Sequence, residues 1–238
     1  MPKKRVAWRV AVTLLSLAAF AVAVSVLTDY YRDHYRENFA GAGYGVTEVP
    51  DFLTSAECDA LVRAARAKGL ETSLLFKSDS NVIDTGVRVS EQTWLLDTDA
   101  AVVADVSKRV EKLSGMPSEN QEALQVVHYG VGGKYEPHFD ACDTRSTDTP
   151  SCERMNGRGA GPRLRTVLLY LSDVAGGGGT TFPRIGTTIR PQKGKAVVFD
   201  NVDSETHVIL DKSFHGGDPV TEGEKWVANK WIHARKWS

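Results

Sequence analysis

The chain has little cysteine and little histidine, with three and six among 238 residues. A chain of this length can bury a sizeable core without covalent staples, so the fold does not depend on a disulfide framework. An excess of charge of either sign is also missing: charged residues make up 25% and the formal net charge is −1. With no dominant basic stripe, nucleic acid is excluded as a partner. No internal repeat is present. The four glycines Gly176 to Gly179 lack a following GK[ST] or helix start, so they read as a flexible turn and not as a phosphate cradle. Besides this patch, biased composition is confined to the polar segment Thr144 to Ser151 and one apolar run, and the length fits one domain plus an appendage.

The apolar run is uncharged from Val10 to Leu27, preceded by Lys3, Lys4, Arg5 and Arg9 and followed by Asp29, Tyr30 and Tyr31. As a helix it would be roughly 27 Å long, close to the roughly 30 Å hydrocarbon core of a bilayer, and the basic flank favours a cytoplasmic N-terminus. The expectation is a cytoplasmic tip and transmembrane signal-anchor over 1–28. A stem follows over 29–45, with His34 a solvated stem residue. This gives a single-pass type II protein of the endoplasmic reticulum or secretory-pathway membrane, the part after the stem luminal. The alternative is a signal peptide cleaved near Ala21-Val22-Ala23, giving a secreted protein. Cys142 and Cys152 flank DTRSTDTPS and would close that segment into a loop if bridged. Cys58 then remains as a buried helix thiol.

The folded part is expected from Val46, with a helix-and-strand support region over 46–120. Thr54-Ser55-Ala56-Glu57 has the form of a capping box, and Leu61, Val62 and Ala65 continue an apolar face until Gly69. A second helix is predicted from Asp99 to Ser114, with Gly115 as its stop. Between them Val87 to Leu95 reads as a strand. From Leu124 onward short β-rich runs follow one another: Leu124–Tyr129, Lys134–Phe139, Arg165–Leu171, Thr187–Arg190, Ala196–Phe199, His207–Leu210 and Lys225–Ile232. Regularly spaced short strands predict a sandwich or jelly roll, and the whole an α+β fold.

The chemistry concentrates in VVHYGVGGKYEPHFD, Val126 to Asp140. In an extended strand His138 and Asp140 leave the same face and can address one ion, while Phe139 turns away. A 2-His-1-carboxylate set leaves positions open on non-haem Fe(II); a mixed His/Asp set could also hold zinc with an activated water. Among the remaining histidines His215 stands out, because it opens HGGDPVTEGEKWVANKWIH, where Gly216 and Gly217 permit an unusual backbone path and Lys225 lies on the next strand. A cation beside such a site points to an anionic co-substrate.

The runs LQVVHYGVGGKYEPHFD, LRTVLLYLSDVAGGGGTTFP and HGGDPVTEGEKWVANKWIH, with RVSEQTW (Arg88 to Trp94) upstream, resemble the catalytic domain of prolyl 4-hydroxylases, within the 2-oxoglutarate and Fe(II)-dependent dioxygenases. The likeness covers most of the chain after about Val49. It implies a distorted double-stranded β-helix (jelly-roll) over 121–236, backed by the N-terminal helices. It also implies His138, Asp140 and His215 as iron ligands, and Lys225, Tyr129 and Thr180 around 2-oxoglutarate, which with the metal ligands make Lys225 part of the catalytic set. Arg88, Tyr135, Arg163, Trp231 and His233 are implied around the peptide or the open side of the iron. Trp231 could equally be core, His233 a satisfied strand-end residue, and His128 and His207 are read as structural.

What the resemblance implies as activity is 4-hydroxylation of peptidyl proline, with O2 and 2-oxoglutarate as co-substrates, succinate and CO2 as products and ascorbate as a protective reductant. Aromatic grooves suit proline-rich chains, which are already extended and have unmade backbone hydrogen bonds. The alternatives are a 2-oxoglutarate hydroxylase of another residue or a small molecule, and a membrane-tethered, catalytically inactive proline-rich-peptide binding module. No added peptide-binding domain is seen, so no obligate partner subunit is indicated.

Overall fold

The computed structural model describes residues 45–77, 80–142, 152–153, 155–157 and 159–237. The expected anchor and stem, apart from Gly45, lie outside the described residues. Among the described residues no helix is long and apolar enough to cross a membrane.

Along the chain come β1 (Val46–Val49), helix α1 (Ser55–Lys68), β2 (Glu71–Thr72), and the hairpin β3 (Leu75–Lys77) and β4 (Ser80–Val82). Next are β5 (Arg88–Val89), β6 (Glu91–Leu95), helix α2 (Ala101–Ser114), β7 (Leu124–Tyr129), β8 (Lys134–His138) and β9 (Arg163–Tyr170). The last part holds β10 (Gly176–Gly177), β11 (Thr180–Phe182), β12 (Thr187–Ile189), β13 (Ala196–Asp200), β14 (His215–Gly217), β15 (Val220–Glu222) and β16 (Lys225–His233).

Seven strands form a major sheet in the order β1-β13-β9-β16-β7-β6-β2, and five form a minor sheet in the order β12-β11-β14-β8-β5. The core between them takes Val127, Tyr129, Leu168, Tyr170, Val197, Phe199 and Val227 from the major sheet and Phe182 and Ile189 from the minor one. Period-two alternation divides the long strands. On β16, Lys225, Val227, Asn229 and Trp231 face an inner cavity. The intervening Trp226 lies under the Arg66 guanidinium of α1, which places it on the helix-covered face. This is the jelly-roll core with supporting helices expected from the strand spacing.

Helix α1 starts where local chemistry dictates: the Glu57 N–H donates to Thr54 Oγ1 at 3.3 Å and the Thr54 N–H donates to Glu57 Oε2 at 2.8 Å, satisfying two orphan amides. Glu57 also takes the Arg109 guanidinium at 2.6 Å, which ties α1 to α2. Helix α2 begins two residues later than predicted, because the Asp99 carboxylate accepts the Leu96 N–H at 2.7 Å and closes a turn first. Gly115 ends it in the left-handed region.

Three expectations need correction. The predicted strand Val87 to Leu95 is two strands serving different sheets: Arg88 pairs with Tyr135, whereas Glu91 pairs with His128. His207–Leu210 is not a strand, since Asp203 Oδ1 accepts the Glu205 and Thr206 N–H groups and His207 turns left-handed; only a Val202–Ile209 bridge remains. The glycine patch is not simply a turn, since Gly176 and Gly177 pair with β15. Gly177 has φ +70° and a Cβ there would run into the Pro219 carbonyl oxygen, so only glycine fits.

Candidate iron and 2-oxoglutarate site

His138 closes β8, Asp140 lies two residues beyond, and His215 opens β14 directly opposite His138 in the antiparallel register. One ligand atom from each of the three lies within 4.8 Å of the others. His138 Nε2 is 3.5 Å from Asp140 Oδ1, and His215 Nε2 is 3.7 Å from Asp140 Oδ2. Both imidazoles are oriented by the backbone: Nδ1 of His138 is 2.9 Å from the Glu136 carbonyl and Nδ1 of His215 is 2.8 Å from the Ser213 carbonyl. A carbonyl only accepts, so each Nδ1 carries a proton and donates, which leaves each Nε2 as the atom that could ligate.

The electrostatics fit a cation. Burial acts to raise the Asp140 carboxyl, but His215, His138 and Arg163 outweigh it and hold the group well below the usual carboxylate range. Burial pushes His215 down to about 4 against the opposing pull of Asp140, so its ring is neutral at pH 7 and free to ligate. Two Nε2 atoms and a carboxylate, with His138 on the open side, suit an octahedral ion that keeps positions for other ligands.

Asp140 is held in turn. Thr166 donates to its Oδ2 at 2.7 Å, and Asn201 Nδ2 donates to Thr166 Oγ1 at 2.8 Å. Arg163 Nη1 donates to the Asp140 carbonyl at 3.3 Å while its guanidinium lies 3.7 Å from the Trp231 ring centroid. Arg163 also forks onto the buried Glu122, at 2.5 and 3.0 Å.

His138, Asp140, His215, Glu122 and Arg163 line one cavity of about 640 Å³, together with Arg88, Tyr129, Tyr135, Thr180, Lys225 and Trp231. At its inner end Lys225 is 3% exposed. Its Nζ faces the rings of Tyr129 and Tyr170, 5.3 and 5.7 Å from their centroids. Burial lowers Lys225 to about 8, offset in part by Asp218, and no carboxylate among the described residues forms an ion pair with it. An ammonium desolvated without a partner costs several kcal/mol, and a dicarboxylate reaching from the metal would relieve that. Thr180 Oγ1 accepts from the Tyr170 hydroxyl at 2.6 Å. Nearer the three candidate ligands, Tyr135 stacks on His138 at 3.7 Å between centroids and under the Arg88 guanidinium. At the mouth, Trp94 packs against Trp231.

The structure therefore gathers ten of the eleven predicted metal, co-substrate and peptide positions in this cavity; the eleventh, His233, stands behind the cavity wall. It is fully buried, with Nε2 2.8 Å from Glu122 and Nδ1 2.7 Å from the Gly161 carbonyl, so neither nitrogen is left for a peptide. Cys142 and Cys152 form a disulfide with Cα atoms 5.3 Å apart. Cys58 is a buried free thiol. His128 lies between Glu91 and Glu224 against Trp226, away from the metal ligands, and His34 is outside the described residues. Sequence reading missed Glu122, Thr166, Tyr170 and Asn201. The period-two spacing of Thr166, Leu168 and Tyr170 on one strand face was the available signal for two of them.

The model of the 2OG-Fe(II) oxygenase superfamily matches residues 124–233. Prolyl 4-hydroxylase subunit alpha-1 of Rattus norvegicus is 35% identical over 185 residues, 78% of this chain and 34% of the relative; the chain thus spans about a third of that subunit's length. Prolyl 4-hydroxylase 5 of Arabidopsis thaliana is 34% identical, covering 78% of this chain and 67% of the relative. Among solved structures, the viral collagen prolyl hydroxylase from Paramecium Bursaria Chlorella virus-1 in its 2OG complex superposes with a TM-score of 0.65 at 31% identity, over 82% of this chain and 98% of that one. The metal-binding geometry, the buried lysine and these likenesses agree, and the chain belongs to the prolyl 4-hydroxylase family of 2-oxoglutarate- and Fe(II)-dependent oxygenases.

Proposed function

We propose that this enzyme hydroxylates C4 of peptidyl proline, coupled to oxidative decarboxylation of 2-oxoglutarate to succinate and CO2. The observation that carries the reading is that Lys225, buried and in no ion pair with a carboxylate among the described residues, shares one cavity with His138, Asp140 and His215. Bound iron, 2-oxoglutarate and O2 supply the oxidising chemistry. In this reading the two Nε2 atoms and Asp140 hold the metal, while Lys225, Thr180 and Tyr129 receive the distal carboxylate. Leu168 and Val227 line the cavity wall and limit water. Arg88, Tyr135, Arg163 and Trp231 surround the peptide side. The relatives' names support proline as the target, and the Tyr and Trp faces suit an extended proline-rich chain. The Cys142–Cys152 bridge and the Val10–Leu27 run support a secretory-pathway, membrane-tethered enzyme acting on secreted or membrane proteins. Ascorbate would sustain repeated turnover.

The test is incubation of the full chain with Fe(II), 2-oxoglutarate and ascorbate on a polyproline peptide and a Pro-Pro-Gly repeat, read by tandem mass spectrometry. A single-oxygen gain on proline that disappears in His138→Ala and Lys225→Ala is expected. Succinate without oxidised proline would point to another substrate. Bound iron without succinate would leave a peptide-binding module.

A further inference from the structure

We propose that Thr166, set by Asn201, is a positioning residue that reserves one oxygen of the Asp140 carboxylate so that Asp140 binds the metal through the other alone. This rests on the reading of His138, Asp140 and His215 as metal ligands.

The polarity of the chain has one solution. Asp140 Oδ2 can only accept, so the single Thr166 hydroxyl proton lies on the 2.7 Å bond to it. Thr166 Oγ1 must then accept from Asn201, which assigns Nδ2 to the 2.8 Å contact and fixes the amide. Asn201 Oδ1 is left buried with no partner among the described residues, a cost the fold tolerates to keep the donor aimed at Thr166. Thr166 and Asn201 are both fully buried. The Asn201 backbone is pinned as well: its N–H donates to the Leu164 carbonyl at 2.8 Å and its carbonyl accepts the Leu210 N–H at 2.9 Å. The Leu210 carbonyl accepts the Ser213 N–H at 2.9 Å, and the Ser213 carbonyl orients His215. Asn201 thus anchors two arms of the ligand set.

The consequence is a coordination count. Oδ1 faces His138, whereas Oδ2, on the His215 side, accepts the Thr166 hydrogen bond. A carboxylate free to rotate could chelate through both oxygens and take a position that the co-substrate or O2 needs; the Thr166 bond fixes the rotation and engages a lone pair of Oδ2, which disfavours chelation.

The experiment titrates metal-free full-length protein with Mn(II) alone, reading free Mn(II) by electron paramagnetic resonance, beside melting temperatures of the metal-free forms. Thr166→Val should weaken Mn(II) binding about tenfold or more, and Thr166→Ser should stay within about threefold of wild type. Asn201→Asp, nearly isosteric, should weaken binding like Thr166→Val, because a carboxylate at 201 draws the threonine proton away from Asp140. The double variant should lose no more than either single one. Thr166→Val binding as wild type does, or Thr166→Ser losing as much as Thr166→Val, overturns the proposal. Should Thr166→Val fail to fold, Asn201→Asp decides: wild-type affinity there overturns it. Wild-type protein that binds no Mn(II) overturns the ligand reading itself.

Discussion

His215 stands directly opposite His138 in the antiparallel pairing of β14 with β8. The metal-binding pair is therefore a product of strand register, and a slip of one residue would turn one imidazole to the opposite face. The strands approach closely here because position 216 has no side chain. A Cβ on Gly216 would lie 2.9 Å from both the Pro137 nitrogen and the Tyr135 carbonyl oxygen.

Gly216→Ala should force β14 away from β8, weaken Mn(II) binding by about tenfold or more and destabilise the fold by about 1–3 kcal/mol. Metal titration and urea unfolding of the variant check both. Unchanged metal affinity would show that the two strands can separate without disturbing the ligands.

Affinity for 2-oxoglutarate should fall at alkaline pH. The groups facing Lys225 are the Tyr129 and Tyr170 rings, with Asp218 the nearby acid, and burial brings the ammonium down to about 8. Only the protonated form can pair with a carboxylate. Binding is thus constant well below that value and weakens by roughly tenfold per pH unit above it, until the value raised by bound ligand is reached. Calorimetric Kd values with Mn(II)-loaded enzyme from pH 6.5 to 9.5 test this, and Lys225→Arg should remove the dependence while weakening affinity.

Glu122 should govern acid stability. Although burial opposes ionisation, Arg163 and His233 hold its carboxyl below the ordinary value of 4.5. Its folded-state value is depressed, so its contribution is present above about 4.5 and lost as pH falls through the lower folded value. Glu122→Gln leaves the Arg163 charge without its buried partner and should cost about 3 kcal/mol at pH 7 while flattening the acid limb. Urea unfolding between pH 3 and 8 reads both effects.

Thiol titration should count one, then three. Cys58 is fully buried, and burial pushes its thiol up to about 11, so the native protein should be unreactive toward a disulfide reagent. Denaturation without reductant should expose one thiol, and reduction should release all three. Three thiols without reductant would mean that the bridge is not formed.

Much of this was legible in the chain because it is local. The Thr54–Glu57 capping box, the Gly115 stop and the same-face spacing of His138 and Asp140 depend on residues within one turn or one pleat of each other. His215 and Lys225 stood out by their place in HGGDPVTEGEKWVANKWIH, resemblance supplied their roles, and the fold placed them in the same cavity. Tertiary structure alone decided that Arg88 and Glu91, three residues apart, join different sheets, and that His233 faces Glu122 and not the cavity. It alone decided that Thr166, an ordinary strand residue by sequence, donates a hydrogen bond to Asp140 under the direction of Asn201. The physical reason is common to all of these. Helix ends and strand faces are set by neighbours in sequence, whereas the partner of a buried hydrogen bond or charge is supplied by whichever strand the sheet order brings alongside, and that order is a property of the folded chain.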